Sequence, residues 1–403
     1  MKNRLKNYRL RAYVTQAKAA KAAGVTQPTY QRWESGRSEI GKRELAKLAK
    51  LFETTPDALL GKPVEAAFYD DSAPEHLQYY GEIAVHFIGG GKPLVLSISE
   101  AAHSKLYRDL QGSSKFIIVE DLGNRTVAIR RKAVAECYFS SEAYDTYGPE
   151  HDTYDLVTPI QLPDARDWEI IEALYWELEG AGGDLEEDFT KEQIERIEQM
   201  IMITDEQYEK LVADGHIKPE DLEAEKTKNA AFTDGIFAAA TEVVAQFSTG
   251  MRRTMATYTG DCNLFEQGLE QFENDHEERE PDEPTVIRFP FEGYHRTVFL
   301  TPEALDYVWF PTHLVEQGRE KVAEGYLDEM DADEGPTKSE VVQLPKQRRK
   351  KARDLGHFLP TNAAPIITSP PDAGEPAVRQ PTNPIGIFDA LDAHRAAKKD
   401  QPT

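Results

Sequence analysis

The chain has 403 residues, 40% apolar and 9% aromatic, which is too long for one core and apolar enough to exclude wholesale disorder, so two or three domains are expected. No apolar run reaches the roughly 18–20 residues that span a bilayer. The net charge of −24 hides a division: residues 1–62 carry 14 Lys and Arg against 5 Asp and Glu, residues 63–335 carry 22 against 59, and residues 336–403 carry 11 against 7. A basic start fused to an acidic body points to local contact with nucleic acid. The start has no apolar stretch behind it that would read as a secretion signal. Cys137 and Cys262 lie too far apart in sequence to suggest a disulfide framework or a zinc cluster. A cytoplasmic, nucleoid-associated protein is the expectation.

In chain order, the first segment reads as five short helices. Residues 3–12 are basic and carry Leu5 and Leu10. Thr15 can cap a helix over 16–23, which Gly24 stops. Thr26 can cap the next, with Pro28 in its first turn, where a missing N–H costs little. Tyr30 and Trp33 face inward on it, and it ends near Gly36. Residues 43–52 repeat Leu45, Leu48, Ala49 and Phe52 at helical spacing, and Thr55-Pro56-Asp57 starts a last turn.

Residues 78–140 change character to ββαββ. Strands are expected over 83–87 and 94–98, a helix over 99–111, strands over 116–119 and 125–130, and a short helix over 133–139. The ending of this module recurs. Arg125-Thr126-Val127-Ala128-Ile129 matches Arg296-Thr297-Val298-Phe299-Leu300 at an offset of 171 residues, and Cys137-Tyr138-Phe139 matches Val308-Trp309-Phe310 at the same offset. Val286–Phe289 can match Phe116–Val119. Two copies of one small module are expected. Between them, Thr190-x-x-Gln193 and Thr204-x-x-Gln207 have the form of capping boxes, and Ile236, Phe237, Ala240, Val243, Val244 and Phe247 form a helical face. The last 68 residues hold 10 of the 24 prolines and are expected to be disordered.

The segment from Thr15 to Gly36, TQAKAAKAAGVTQPTYQRWESG, followed by LAKLF and DALLG, resembles the lambda-repressor-like (Cro/XRE) helix-turn-helix regulators from about Leu5 to Leu60. The resemblance implies that the helix beginning near Gln27 enters the DNA major groove while the helix beginning at Gln16 lies across the backbone. Gln16 opens a helix whose free N–H groups suit a phosphate, and Gln27, Pro28, Thr29 and Arg32 lie on the DNA-facing side of the third helix, where Gln suits adenine and Arg suits guanine. Arg37, Lys42 and Arg43 are placed for phosphates, and Glu34 is implied to pair with Arg9. Two departures stand out. Pro28 occupies a position often held by a polar base reader, and Ala19 replaces a large aliphatic residue whose space Trp33 can fill.

Other motifs are weaker. Gly89-Gly90-Gly91-Lys92 is followed by Pro93 and lacks P-loop spacing. His276-Glu277-Glu278 has no second ligand at metal spacing. No Ser/His/Asp or Cys/His set stands out, and Lys346, Arg348, Arg349, Lys350, Lys351 and Arg353 form a basic cluster in the tail.

The expected architecture is multidomain: an all-α helix-turn-helix domain (1–65), then an α+β body with module copies over 76–150 and 248–325 around an acidic helical region over 160–247, then the tail over 336–403. The expected function is a sequence-specific DNA-binding transcriptional regulator, with repression the commoner role in the resembling family. It would bind double-stranded operator DNA as a homodimer, without cofactor, metal or catalytic activity. The alternative is an antitoxin-like or adaptor protein whose acidic body binds a protein partner.

Overall fold

The computed structural model describes residues 3–64, 66–68, 74–140, 160–256, 263–273, 286–290 and 297–333. They divide into two compact units. One holds Leu5–Phe52 together with the chain from Ala323, and the other holds Met1–Arg4 and Glu53–Val322. The expected tail, the basic cluster within it, His276 and Cys262 lie outside the described residues.

The N-terminal helices are α1 (Leu5–Arg11), α2 (Gln16–Ala23), α3 (Gln27–Glu34), α4 (Lys42–Leu51) and α5 (Pro56–Leu59). Their ends follow from local chemistry. The Thr15 hydroxyl accepts from the Lys18 N–H at 3.2 Å and so satisfies one of the free donors of the α2 start. Gly24 closes the helix in the left-handed region at φ 82°, which a side chain would strain. The Lys47 ammonium then donates to the Ala23 carbonyl at 2.7 Å, satisfying a C-terminal acceptor from another helix. Thr55 caps α5 through the Ala58 N–H at 3.1 Å. Helix α2 packs on α3 and α4, and α1 packs on α3. Leu5, Ala19, Tyr30 and Leu48 are fully buried.

The body's first strands are β1 (Ala67–Phe68), β2 (Gln78–Phe87) and β3 (Leu94–Ser99), followed by α6 (Glu100–Leu110), β4 (Phe116–Glu120), β5 (Arg125–Arg130) and β6 (Val134–Ser140). A helical insertion supplies α7 (Ala165–Leu178), α8 (Leu185–Asp188), α9 (Lys191–Ile201), α10 (Asp205–Ala213) and α11 (Leu222–Thr241). Strands β7 (Glu242–Phe247) and β8 (Arg252–Ala256), helix α12 (Glu270–Glu273), strands β9 (Ile287–Pro290), β10 (Thr297–Leu300) and β11 (Leu305–Pro311), and helix α13 (Thr312–Asp333) complete it. Both capping boxes of the insertion form, Thr190 with Gln193 and Thr204 with Gln207, and α7, α9 and α11 enclose Trp168, Ile170, Ile171, Ile197 and Ile236.

Three sheets result. In the first, β3 lies on one side of β2 and β1 and β6 follow one another on the other side, the central one runs β4-β5-β11-β7-β8, and β9 pairs with β10 in a hairpin. Strand alternation gives the central sheet two apolar faces. Ile117, Val119, Val127, Ile129, Tyr307 and Trp309 point to the layer of β2, β3 and α6. Phe116, Ala128, Val308 and Phe310 point the other way, to Phe265, Leu269, Phe272, Ile287 and Leu300.

Strands β6 and β11 are attached alike. β6 runs antiparallel on β2 with Val134 opposite Phe87, Glu136 opposite His86 and Cys137 opposite Val85, skipping Ala135. β11 runs antiparallel on β7 with Leu305 opposite Phe247, Tyr307 opposite Gln246 and Val308 opposite Ala245, skipping Asp306. The skipped residues sit at the same place in each ladder.

The structure corrects two readings. Residues 133–139 are not a helix: a single 3-10 turn over Arg131–Ala133 leads into β6. Cys137-Tyr138-Phe139 fits helical spacing, but as aromatic and half-buried side chains they serve a ladder equally well, and β2 decides between them. The helical face that included Val243, Val244 and Phe247 ends at Thr241. From Glu242 the chain is β7, because β11 and β8 flank that β-branched run. The helical region therefore stops short of 247. Helix α13 runs on past residue 325, and Ala323 and Leu327 in its second half pack with Leu10 of α1.

Candidate nucleic-acid interface

The surface of α3 follows from which of its side chains the unit buries. Tyr30 and Trp33 are buried, 6.4 Å apart edge to face. Gln27, Pro28, Gln31 and Arg32 are exposed and Thr29 is half-buried. Gln31 was not among the sequence-derived readers. Its signal was available, because a residue four positions after Gln27 lies only about 40° around the helix, whereas Arg32 lies about 140° away. The Arg32 guanidinium folds onto its own helix, with Nε donating to the Pro28 carbonyl at 3.3 Å and Nη2 approaching the Thr29 hydroxyl at 3.5 Å. Thr29 also shares a 3.0 Å hydrogen bond with Thr26 at the helix start. Arg37, Lys42 and Arg43 are exposed beyond α3, on the segment where backbone-neutralising cations are useful.

One carboxylate sets the geometry of this surface. Glu34, the last residue of α3, accepts from Arg9 Nε of α1 at 2.5 Å and from Gln16 Nε2 of α2 at 2.7 Å. Arg9 also donates to the Val14 carbonyl at 3.1 Å. The ion pair is over nine-tenths buried on both sides. Such a pair is poor evidence of net stability, but it fixes relative helix positions because either member left alone is costly. Burial, reinforced by the Glu34 charge, raises the Tyr30 phenol well above its ordinary range, so it is neutral. The Gln16 amide is engaged with Glu34. What α2 offers to a phosphate besides that side chain is the donor-rich start of the helix itself.

In the body, one buried polar cluster joins three elements. His313 is fully buried, with Nε2 3.2 Å from Glu172 Oε2 and Nδ1 2.9 Å from the Asn124 amide. Asn124, at φ 65° in the β4–β5 turn, accepts from the His313 backbone N–H at 3.0 Å through its side-chain oxygen. These bonds tie α7 and the turn to the start of α13. Among the described residues no three His, Cys, Asp or Glu side chains are grouped to hold a metal, and no helix is long and apolar enough to cross a membrane.

Residues 5–59 match the helix-turn-helix family, of the Cro/C1 type. No curated protein and no solved structure matches the chain. The chain thus carries the DNA-binding domain of a transcription regulator, and that domain covers its first seventh.

Proposed function

We propose that the protein is a sequence-specific transcriptional regulator, acting as a repressor, that reads an operator with α3 in the major groove. The observation that carries this is the exposed polar row of Gln27, Gln31 and Arg32, held in place by the buried Glu34 that binds α1 and α2. Gln27 and Gln31 can each pair with an adenine and Arg32 with a guanine, at about 1–3 kcal/mol of discrimination each. Thr29 and Pro28 shape the helix start against the groove wall. Gln16, Arg37, Lys42 and Arg43 bind phosphate and set register. The body neither catalyses a reaction nor takes a cofactor. It brings two chains together, so that two α3 helices meet two half-sites of one operator, in the cytoplasm where that DNA lies.

Within the body we read one module used twice, over 76–140 and 242–311. The shared attachment of β6 and β11, with the skipped residue at the same place, supports this. The Ile88 N–H donates to the Ala133 carbonyl and the Ser248 N–H to the Ala304 carbonyl, both at 2.9 Å and each just beyond its hairpin strand. Arg296, the counterpart of Arg125, lies outside the described residues.

Selection of bound sequences from a random pool tests the function. Full-length protein should enrich a two-part site, and Arg32→Ala and Gln31→Ala should each relax preference at one position per half-site. Uniform weakening over all sequences would move those residues to the backbone. No enrichment, with binding that does not weaken as salt rises, would end the DNA reading, since each phosphate neutralised contributes about −0.9 to the log–log salt slope. Co-purification of a stoichiometric protein partner would then favour the adaptor alternative.

A further inference from the structure

The two modules, taken as counterparts, differ in how their second hairpins are used. The first module's hairpin β4–β5 is shared. Its inner face, Ile117, Val119, Val127 and Ile129, enters its own core. Its outer face, Phe116 and Ala128, enters the core of the second module, and β5 pairs along β11 with Ala128 opposite Val308 and Val127 opposite Trp309. The second module's hairpin β9–β10 has the same internal register, Leu300 opposite Ile287 as Ile129 lies opposite Ile117. Its inner residues Ile287 and Leu300 are likewise buried. Its outer residues, Val286 and Phe299, are the counterparts of Phe116 and Ala128, and they are 38% and 64% exposed.

The receiving strand shows the complementary deficit. β11 is buried along its whole length, whereas its counterpart β6 has Ala135 and Glu136 exposed and the rest half-buried. Among the described strands β6 has one ladder neighbour and β10 has one. In this chain the two are separated by the central sheet, since β9–β10 packs on one face of it and the layer of β6 on the other. At about 10 Å per layer, they do not meet within one molecule as it is folded here.

We propose that the edge of β6 and the outer face of β9–β10 are the two halves of a contact between two copies of this chain. β10 of one copy adds to β6 of the other in the register that β5 uses on β11, placing Phe299 opposite Cys137 and Val298 opposite Tyr138. An open strand edge is a template for such addition. A two-fold axis makes the contact twice and leaves neither edge open. Phe299 then enters the first module's core of the partner copy, as Ala128 enters the second module's core within one chain. The inference rests on the module reading and supplies the contact that the operator dimer requires.

The test uses no DNA, so its failure and that of the regulator reading can be told apart. In full-length protein carrying Cys262→Ser and Phe299→Cys, Cys137 and the new cysteine would be directly opposed across antiparallel strands, within disulfide reach. Burial pushes the Cys137 thiol up to about 11, so a catalytic copper oxidant drives the reaction. The expected product is a covalent species of twice the chain mass that is lost when Cys137→Ser is added. Light scattering of the unsubstituted chain at micromolar concentration should give a dimer, and Phe299→Lys, at an exposed position, should shift it to monomer with unchanged circular dichroism. An intrachain disulfide, a covalent dimer that persists without Cys137, or an unsubstituted chain that is monomeric overturns the proposal.

Discussion

The helix-turn-helix unit and the body each bury an arginine–carboxylate pair, and the two pairs solve different problems. Arg9 and Glu34 are 25 residues apart, and with Gln16 they join three helices around one carboxylate. Arg125 and Asp121 are one hairpin turn apart, with Arg125 Nε donating to Asp121 Oδ2 at 2.7 Å. There the carboxylate also accepts from the backbone N–H groups of Gly123 at 2.9 Å and Arg125 at 2.8 Å. The first pair positions a recognition surface and has no backbone donor in support of its carboxylate among the bonds described above. The second closes a local turn and is supported by the chain itself. Burial raises the Asp121 carboxyl above its ordinary value, with Arg125 and those backbone donors opposing the rise. A buried charge held only by side chains from distant helices should therefore be more fragile than one held by its own turn.

The largest effect should come from Glu34→Ala. It leaves Arg9 buried and uncompensated, which typically costs about 3–5 kcal/mol. Chemical denaturation should show the helix-turn-helix unit melting separately from the body. Glu34→Gln, which keeps an acceptor, should recover part of the loss.

A third buried carboxylate provides an intermediate case. Asp167 on α7 is raised to about 6, first by burial, against the lowering influence of Arg196 and with Asp164 adding to the rise and Arg4 opposing it. Its folded value lies above the ordinary 3.8, so the folded chain holds this proton more tightly than the unfolded one. The resulting stabilisation is complete below pH 3.8 and is lost as pH rises through 6, a difference worth about 3 kcal/mol at most. Urea midpoints of the natural chain and of Asp167→Asn, compared at pH 4 and pH 7.5, should show the natural chain losing ground to the variant as pH rises. A constant gap would mean that Arg196 compensates the charge fully.

Arg125→Ala should cost less than Glu34→Ala, about 1.5–3 kcal/mol for a charged hydrogen bond, because the two backbone donors remain on Asp121. Equal losses for the two substitutions would remove the distinction between the pairs. The smallest effect is expected from Thr15→Ala, about 1 kcal/mol for a lost helix cap. Hydrogen exchange should place that loss in the first turn of α2 and leave the β4–β5 turn unchanged.

The same contrast explains what could be read without coordinates. Helices α2 and α3 are bounded by residues whose effects act within a few positions, Thr15 and Gly24 for one and Pro28 for the other. Gln31 shares the exposed side of α3 with Gln27, as the helical angle of about 40° between them requires. In the body, local pattern was ambiguous where it mattered. Val243, Val244 and Phe247 fit a helix face as well as a strand, and Val134 to Phe139 likewise.

By itself, then, the sequence determined the five N-terminal helices, the basic charge of the first 62 residues, the acid-rich body and the recurrence of a strand pattern after 171 residues. Caps, charges and periodicity are properties of neighbouring residues. Only the tertiary structure decided that 134–140 and 242–247 are strands, that β5 lies against β11, and that Ala323 and Leu327 of α13 pack on Leu10 of α1. Those outcomes depend on ladder hydrogen bonds and apolar faces supplied from far along the chain: β11 contributes to β7 from about 60 residues away and to β5 from about 180. A strand's identity is settled by its neighbours in space, and its own residues carry only half of that information.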